Sequence, residues 1–544
     1  DELLDQVVLP FWLGPDGLGV DCDKGGFANL GLTPDTEGAG ESWKLGERFL
    51  MPHARTAAAF AKLHASGAFA DATDGGDAKD EMPWYYVNGE SHPKCLSNGG
   101  ALALARHALR FATESMRDEE NGGYYWSVVA SEPLGGKFVP SKSEKRLDAL
   151  AAAADRYRTC VATAPWTLPS HASMFTGLFP FEHGTHGFRV EEYVDNAHPL
   201  HPDHLTLAEG LAAAGYETAA FVANTVYLAN RFGIAQGFDT YEVRRQDAAA
   251  MTDRALRFLD ERGADRPCFL FVNYMDAHRP YGMASAEELA RLPEAEHPAK
   301  LLERLCEQVI VNGAAPGALA DRVSALYDEG LGQLDEEVGR LLSGLEARGL
   351  LEDALVVVTS DHGEAFGDHG IVEHGKDVYE SLVAVPLIVK RPGQTEAVER
   401  GEIASLVDLP GLIARSLPGE TGELLRRDFP RLPGSHPVTS EVHFARPREL
   451  QLYGERFQRE RVSLREGSYK LIIGPEGNEL YNLAVDPEEL DDLTGRESDR
   501  ALSLRSRLDS FLDSNAYRGE RLSPVPASAA QAAETRALGY GGRK

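Results

Sequence analysis

The chain is poor in cysteine and in positive charge. Its five cysteines among 544 residues form no Cys-x-x-Cys pair, which argues against a zinc cluster or a disulfide framework. Lys and Arg number 55 against 85 Asp and Glu, which gives a formal net charge of −30. Because a nucleic-acid binder needs a basic surface, we expect no nucleic-acid partner.

Long apolar runs are also missing. No run is long enough to span a bilayer, and the chain starts without the charged and apolar segments of a signal peptide. We therefore expect a soluble protein without a membrane span, in a compartment that the sequence leaves open. A hydrophobic content of 43% indicates a globular protein with a core, and the length suffices for two or three domains.

Segment 164–177 (Ala-Pro-Trp-Thr-Leu-Pro-Ser-His-Ala-Ser-Met-Phe-Thr-Gly) has the pattern of a nucleophile presented at the start of a helix. Thr167 stands two positions before Pro169, and proline suits a first helical turn because its missing N–H costs nothing there. The free N–H groups and the positive dipole end of such a helix attract an anion. We therefore expect an anionic substrate at Thr167.

Strands and helices alternate from residue 147 onward, as in doubly wound α/β proteins. Apolar runs predict strands at 218–222, 268–272, 354–359 and 385–389. Open α/β sheets bind ligands at the carboxyl ends of their strands. Asp361 and His362 follow one predicted strand directly, and a carboxylate beside an imidazole can bind one divalent cation.

These motifs, together with Gly215-Tyr216, Gln236-Gly237-Phe238-Asp239 and the ending Arg536-Ala537-Leu538-Gly539-Tyr540, occur in the order seen in the sulfatase family. Residues 147–544 resemble that family, which belongs to the alkaline phosphatase superfamily. The resemblance implies an α/β domain over 147–430, with an alkaline phosphatase-like doubly wound sheet. It also implies a small antiparallel C-terminal subdomain over 431–515 and a tail over 516–544.

The resemblance further implies a metal-dependent hydrolase that cleaves sulfate or phosphate esters, with Thr167 as nucleophile. Asp361, His362 and Thr167 would bind a divalent metal, which could be Ca, Mn, Mg or Zn. A small anionic ester would be the substrate. The family's positions that hold the anionic oxygens fall on His171, His278 and His374, with Lys376 as the second choice to His374.

Threonine at the nucleophile position bears on the substrate. Sulfatases convert a Cys or Ser at this position to formylglycine, and threonine cannot give that aldehyde, so no formylglycine is expected. Threonine nucleophiles of the superfamily accompany phosphodiesterases and phospho-group transferases. We therefore favour phosphoesters, while sulfate stays open, as do the metal, the alcohol part of the substrate and the oligomeric state.

The family normally opens with an apolar strand that ends in acidic metal ligands. Residues 132–146 contain no such run, so we expect a central sheet without this core strand, weak metal binding and impaired activity. An alternative is a non-catalytic pseudoenzyme or anion-binding module.

Residues 1–135 resemble part of the N-acylglucosamine 2-epimerase family. The resemblance is carried by Pro10-Phe11-Trp12, Gly25-Gly26-Phe27, His53-Ala54-Arg55 and segment 118–126. It implies a partial α/α toroid, joined to the second part through a junction at 136–146. A sugar epimerase remnant is therefore a further alternative, although the family's catalytic histidines have no counterpart here.

Overall fold

A computed structural model describes residues 146–188, 197–263, 266–282, 292–444, 447–516, 519 and 521–522, and the backbone of six short strands before them. The chain divides into two units, 1–144 and 145–544. In the first unit the six strands form three antiparallel pairs: Val20–Asp21 with Gly26–Phe27, Arg117–Asp118 with Gly123–Tyr124, and Val128–Ala130 with Phe138–Pro140. The helices of the predicted toroid lie outside the described residues.

The helices of the second unit follow the predicted alternation. They are α1 Arg146–Ala151, α2 Thr167–Thr176, α3 Pro180–His183, α4 Leu207–Ala213, α5 Ala248–Glu261, α6 Pro298–Cys306, α7 Gly317–Ala347, α8 Glu380–Val383, α9 Leu409–Ser416, α10 Gly419–Asp428, α11 Pro447–Tyr453 and α12 Ser498–Asn515. No helix among the described residues combines the length and the apolar character needed to cross a membrane.

The described strands of the second unit form a three-stranded sheet, a five-stranded sheet, a two-stranded hairpin and a four-stranded C-terminal sheet. They are β1 Asp155–Val161, β2 Glu217–Val222, β3 Thr240–Val243, β4 Cys268–Asn273, β5 Val356–Thr359, β6 Ala365–Phe366, β7 Val372–Glu373, β8 Ala384–Val385, β9 Leu387–Lys390, β10 Val398–Ser405, β11 Val438–Val442, β12 Arg461–Glu466, β13 Tyr469–Gly474 and β14 Gly477–Asn482.

The three-stranded sheet is parallel, in the order β4-β2-β3. The five-stranded sheet is mixed. Strand β5 pairs antiparallel with β9, β9 and β8 pair antiparallel with β1, and β10 pairs parallel with β1. The strand assignments from sequence are thus confirmed to within a few residues.

The alternation predicts one doubly wound sheet, whereas the described strands divide between these two sheets. Within the described ranges β4 and β5 are each hydrogen-bonded along one edge only. Both strands are half-buried along their whole length. Among the described residues no strand pairs with the other edge of β4 or of β5, and the predicted loss of a core strand stays a prediction.

Helices cover both faces of β4. Successive side chains of this strand point to opposite faces, and each face packs against a different helix. Phe271 packs against Phe175 of α2, with ring centroids 5.1 Å apart. Leu270 and Val272 lie on the other face in a cluster with Met251 of α5. Helix α7 contacts both α5 and α1. The layers are therefore those of an α/β protein.

The C-terminal sheet is antiparallel in the order β11-β12-β13-β14. Helix α12 covers it: Leu464, Leu471 and Leu480 of the sheet pack against Leu504 and Leu508 of the helix. Strands β13 and β14 pair antiparallel, as expected for the region that the resemblance assigns to the C-terminal subdomain. A domain boundary at residue 431 remains a prediction, since residues 145–544 form one unit.

Candidate active site

Thr167 is the first residue of α2, as its sequence pattern predicts. The helix follows β1, and Ser170 Oγ donates to the carbonyl oxygen of Ala164 at 2.8 Å, which closes the turn between strand and helix. The Thr167 side chain is buried. A buried hydroxyl at the start of a helix, just beyond a strand end, is well placed to act on a ligand held at the sheet edge.

Asn224 is a site residue that the sequence interpretation missed. It follows β2, and its Nδ2 donates to Thr167 Oγ1 at 3.4 Å. Its Oδ1 accepts from the backbone N–H groups of Val226 at 3.1 Å and Tyr227 at 2.9 Å. The only available signal was its position directly beyond a buried strand.

His171 lies one helical turn after Thr167 and faces Asp361. The distance from His171 Nδ1 to Asp361 Oδ2 is 3.6 Å, and Asp361 Oδ2 lies 3.5 Å from His362 Nε2. Three predicted site residues therefore lie together. Burial lowers the pKa of His171, although the carboxylate of Asp361 opposes that shift.

The Nδ1 atoms of three site histidines contact backbone carbonyl groups. His171 contacts the carbonyl of Thr167 at 2.9 Å, His278 that of Arg279 at 2.9 Å, and His362 that of Gly363 at 2.8 Å. A carbonyl oxygen can only accept, so Nδ1 carries the proton in each ring. The neutral rings therefore carry their lone pair on Nε2.

His278 and His374 complete the cluster. The ring centroid of His374 lies 5.2 Å from that of His278 and 4.4 Å from that of His362. Burial, together with the neighbouring His374 and Arg279, holds the pKa of His278 well below its ordinary value. His278 is therefore neutral at neutral pH, and it can donate from Nε2 to an anion only after gaining a proton.

Glu364 is a second residue that the sequence interpretation missed. Both of its carboxylate oxygens lie 3.1 Å from His374 Nδ1. Burial raises the pKa of Glu364 to about 7, although Lys376 and His362 oppose that shift. Glu364 thus orients the His374 ring.

Lys376 lies in a buried ion-pair network with Glu373. Its Nζ lies 3.3 Å from Glu373 Oε2 and donates to the carbonyl oxygen of His374 at 3.3 Å. The Lys376 and Glu373 side chains are both fully buried. Between the two alternatives for the anion-holding position, this placement favours His374.

Two glycines hold the site loops in place. The Gly375 N–H donates to the carbonyl oxygen of Pro165 at 2.8 Å, which joins the His374 loop to the turn before Thr167. A Cβ at Gly363 would lie 2.2 Å from the carbonyl oxygen of Ser381. Glycine after Asp361 and His362 is therefore required by close backbone approach.

Asp361 and His362 meet part of the requirement for a divalent cation. His362 has the tautomer of a metal ligand, with Nδ1 donating to a carbonyl and Nε2 carrying the lone pair. However, in the described ranges no group of three or more His, Cys, Asp or Glu side chains is placed to hold a metal ion. These two residues do not make a complete site, so no step of the chemistry proposed below passes through a metal.

Solved structures share this fold. The phosphonate monoester hydrolase of Agrobacterium radiobacter matches with a TM-score of 0.51 at 19% identity, covering 70% of this chain and 94% of that one. The protein is therefore an α/β protein of sulfatase-like fold.

A family profile for sulfatases ("Sulfatase") matches residues 113–415, which is more than half of the chain. The chain belongs to the sulfatase family. The multifunctional alkaline phosphatase superfamily protein PehA of Trinickia caryophylli is 25% identical, over 67% of this chain and 88% of its own length. Mouse arylsulfatase K is 23% identical, over 76% of this chain and 83% of its own.

Proposed function

We propose that the protein hydrolyses esters of phosphoric or sulfuric acid, with Thr167 as the nucleophile and phosphoesters as the preferred substrates. The observation that carries this proposal is the placement of the Thr167 hydroxyl at the start of α2, with Asn224 donating to it at 3.4 Å. Relatives named for phosphonate ester hydrolysis and for choline sulfate support a tetrahedral anionic ester as the substrate class.

The reaction has two displacement steps. In the first, Thr167 Oγ forms a bond to phosphorus or sulfur, the bond to the alcohol oxygen breaks, and the hydroxyl proton passes through water to the departing alcohol. In the second, water adds to the same atom, the bond to Thr167 Oγ breaks, and a proton returns to that oxygen. His278 and His374 would donate to the oxygens of the transferring group once an anion has raised their affinity for protons.

A panel of 4-nitrophenyl esters tests this function: the sulfate, the phosphate, the bis-ester of phosphate and the phenylphosphonate, each with added Mn²⁺, Ca²⁺ or Zn²⁺. We expect turnover of at least one phosphorus ester. Thr167→Ala should lower kcat/KM by at least about 10³-fold, because removing a nucleophile abolishes its displacement step.

The matched control is Thr176→Ala, at the other end of the same helix, where the hydroxyl donates to the carbonyl of Ala172. This variant should retain the turnover. Hydrolysis of the aryl sulfate with none of the phosphorus esters would refute the preference for phosphoesters, and full activity of Thr167→Ala would refute the nucleophile.

A second candidate function is a non-catalytic anion-binding module. It is favoured by the incomplete set of metal donors around Asp361 and His362 in the described part of the chain. Orthovanadate and inorganic phosphate, titrated by calorimetry, separate the two candidates. Binding of either anion with no turnover of the ester panel would support the module.

A further inference from the structure

Asn224 is held in place by hydrogen bonds to both its backbone and its side chain. Its backbone N–H donates to Asn273 Oδ1 at 3.0 Å, and its Oδ1 accepts from the N–H groups of Val226 and Tyr227. Backbone and side chain are therefore both fixed at the point where β2 ends. The residue is 2% exposed, so water does not compete for these bonds.

These contacts decide which end of the amide faces the nucleophile. Nitrogen and oxygen of an asparagine amide are told apart by their hydrogen-bond partners. Two backbone N–H donors require the oxygen on the side of Val226 and Tyr227. The nitrogen therefore faces Thr167 Oγ1, and the threonine hydroxyl is the acceptor of this bond.

We propose that Asn224 is a catalytic residue that stabilises negative charge on Thr167 Oγ. This inference rests on the proposed function. Oγ gains negative charge when it loses its proton before attack, and again when its bond to phosphorus or sulfur breaks in the second step. A donor held at this oxygen favours the charged form at both moments. The 3.4 Å separation shortens as the charge develops, since hydrogen bonds to ionised acceptors are shorter.

The placement of Asn224 also determines where the hydroxyl proton points. Because Oγ accepts from Asn224, its own O–H must be directed elsewhere, away from the amide. The bond therefore orients the nucleophile's lone pairs as well as stabilising its charge. Both effects act on the chemical step more than on substrate binding.

The substitution Asn224→Asp tests this inference. The aspartate keeps an oxygen for the N–H groups of Val226 and Tyr227, but it replaces the donor to Thr167 with a negatively charged acceptor. We expect kcat for the best ester of the panel to fall by about 10²–10³-fold, with KM close to the wild-type value. The pre-steady-state burst of alcohol release should slow by the same factor.

Asn230→Asp is the matched control. It introduces the same change of charge at an exposed position of the segment that follows β2. This variant should retain kcat. Asn224→Ser is a second test variant, because its hydroxyl can still accept from the loop N–H groups but is too short to reach Thr167. Thermal unfolding of each variant checks that it folds.

The outcomes separate this inference from the proposed function. Full turnover by a folded Asn224→Asp or Asn224→Ser, with Thr167→Ala inactive, would overturn the role of Asn224 alone. A loss that appears only in KM would also overturn it. Absence of ester turnover by the wild-type protein would overturn the proposed function, and this role with it.

Discussion

Arg279 and Glu373 form a buried ion pair, with 2.5 Å between Arg279 Nη1 and Glu373 Oε1. The arginine follows His278 directly, and the glutamate directly precedes His374. The pair therefore ties together the two loops that carry these histidines, whose rings lie 5.2 Å apart. Lys376 contacts the same carboxylate, so two cations share one buried anion.

Removing the negative charge of Glu373 should destabilise the folded protein. Glu373→Gln leaves Arg279 and Lys376 buried without the charge they both face, and we expect the free energy of unfolding to fall by about 3–5 kcal/mol. Urea unfolding measures this change. The control is Glu303→Gln, which breaks the exposed pair with Lys300 and should cost less than about 1 kcal/mol. Equal effects of the two substitutions would contradict a structural role for the buried pair.

His374 and Lys376 should differ in what their loss affects. His374→Ala removes a ring of the histidine cluster, and we expect kcat/KM to fall by about 10²-fold or more. Lys376→Met removes a cation held by Glu373, and we expect a loss of about 1.5–3 kcal/mol in unfolding free energy with kcat/KM near wild type. The reverse pattern would assign the anion-holding role to Lys376.

Metal binding should be weak, because in the described part of the chain Asp361 and His362 belong to no group of three or more His, Cys, Asp or Glu side chains, and incomplete sites hold a cation loosely. Calorimetric titration with Mn²⁺, Ca²⁺ or Zn²⁺ should give a shallow isotherm that Asp361→Ala abolishes. Asp353→Ala, an exposed acidic residue before β5, should leave the isotherm unchanged. Tight stoichiometric binding that only Asp361→Ala removes would contradict this expectation.

Buried His183 should make the fold sensitive to acid. Its Nδ1 accepts from the Thr185 N–H at 3.0 Å, and burial lowers its pKa to about 3. The unfolded chain binds a proton on this ring below its ordinary value of 6.5, whereas the folded chain does not until about pH 3. The contribution of neutral His183 to the free energy of unfolding is therefore fully present above pH 6.5 and is lost as the pH falls from 6.5 towards about 3.

Between pH 6.5 and 5 this one ring should account for about 2 kcal/mol. Urea unfolding at pH 7 and pH 5 measures the loss, and His183→Gln should show a smaller one. His171 and His278 change stability in the same direction, since their pKa values are also lowered. An identical pH dependence in the variant would show that His183 does not contribute.

The local pattern predicted more of the fold than of the site. The start of α2 at Thr167 follows from proline in a first turn, and the strand before Asp361 follows from an apolar run. Both features depend on neighbouring residues alone. The division into two sheets could not be read from alternation, because pairing between β4, β5 and any further strand depends on distant segments.

The site shows the same limit. The structure brings together six site residues that the sequence predicted: Thr167, His171, His278, Asp361, His362 and His374. Their catalytic and metal-binding roles remain proposals. Asn224 was missed because it stands in no motif. Glu364 was missed although it follows Asp361, His362 and Gly363, because nothing in that stretch shows that its carboxylate contacts His374. Their relevance comes from contacts across 57 and 10 positions of the chain, to Thr167 and His374 respectively.

By itself the sequence determined which elements form and which chemical groups stand at strand ends, because helix starts, apolar runs and close turns are properties of short segments. The tertiary structure alone decided that Lys376 faces Glu373 and that the Asn224 amide faces Thr167. Such choices depend on which charges and donors the folded chain buries together, since a buried polar group must find a partner from whichever segment packs beside it.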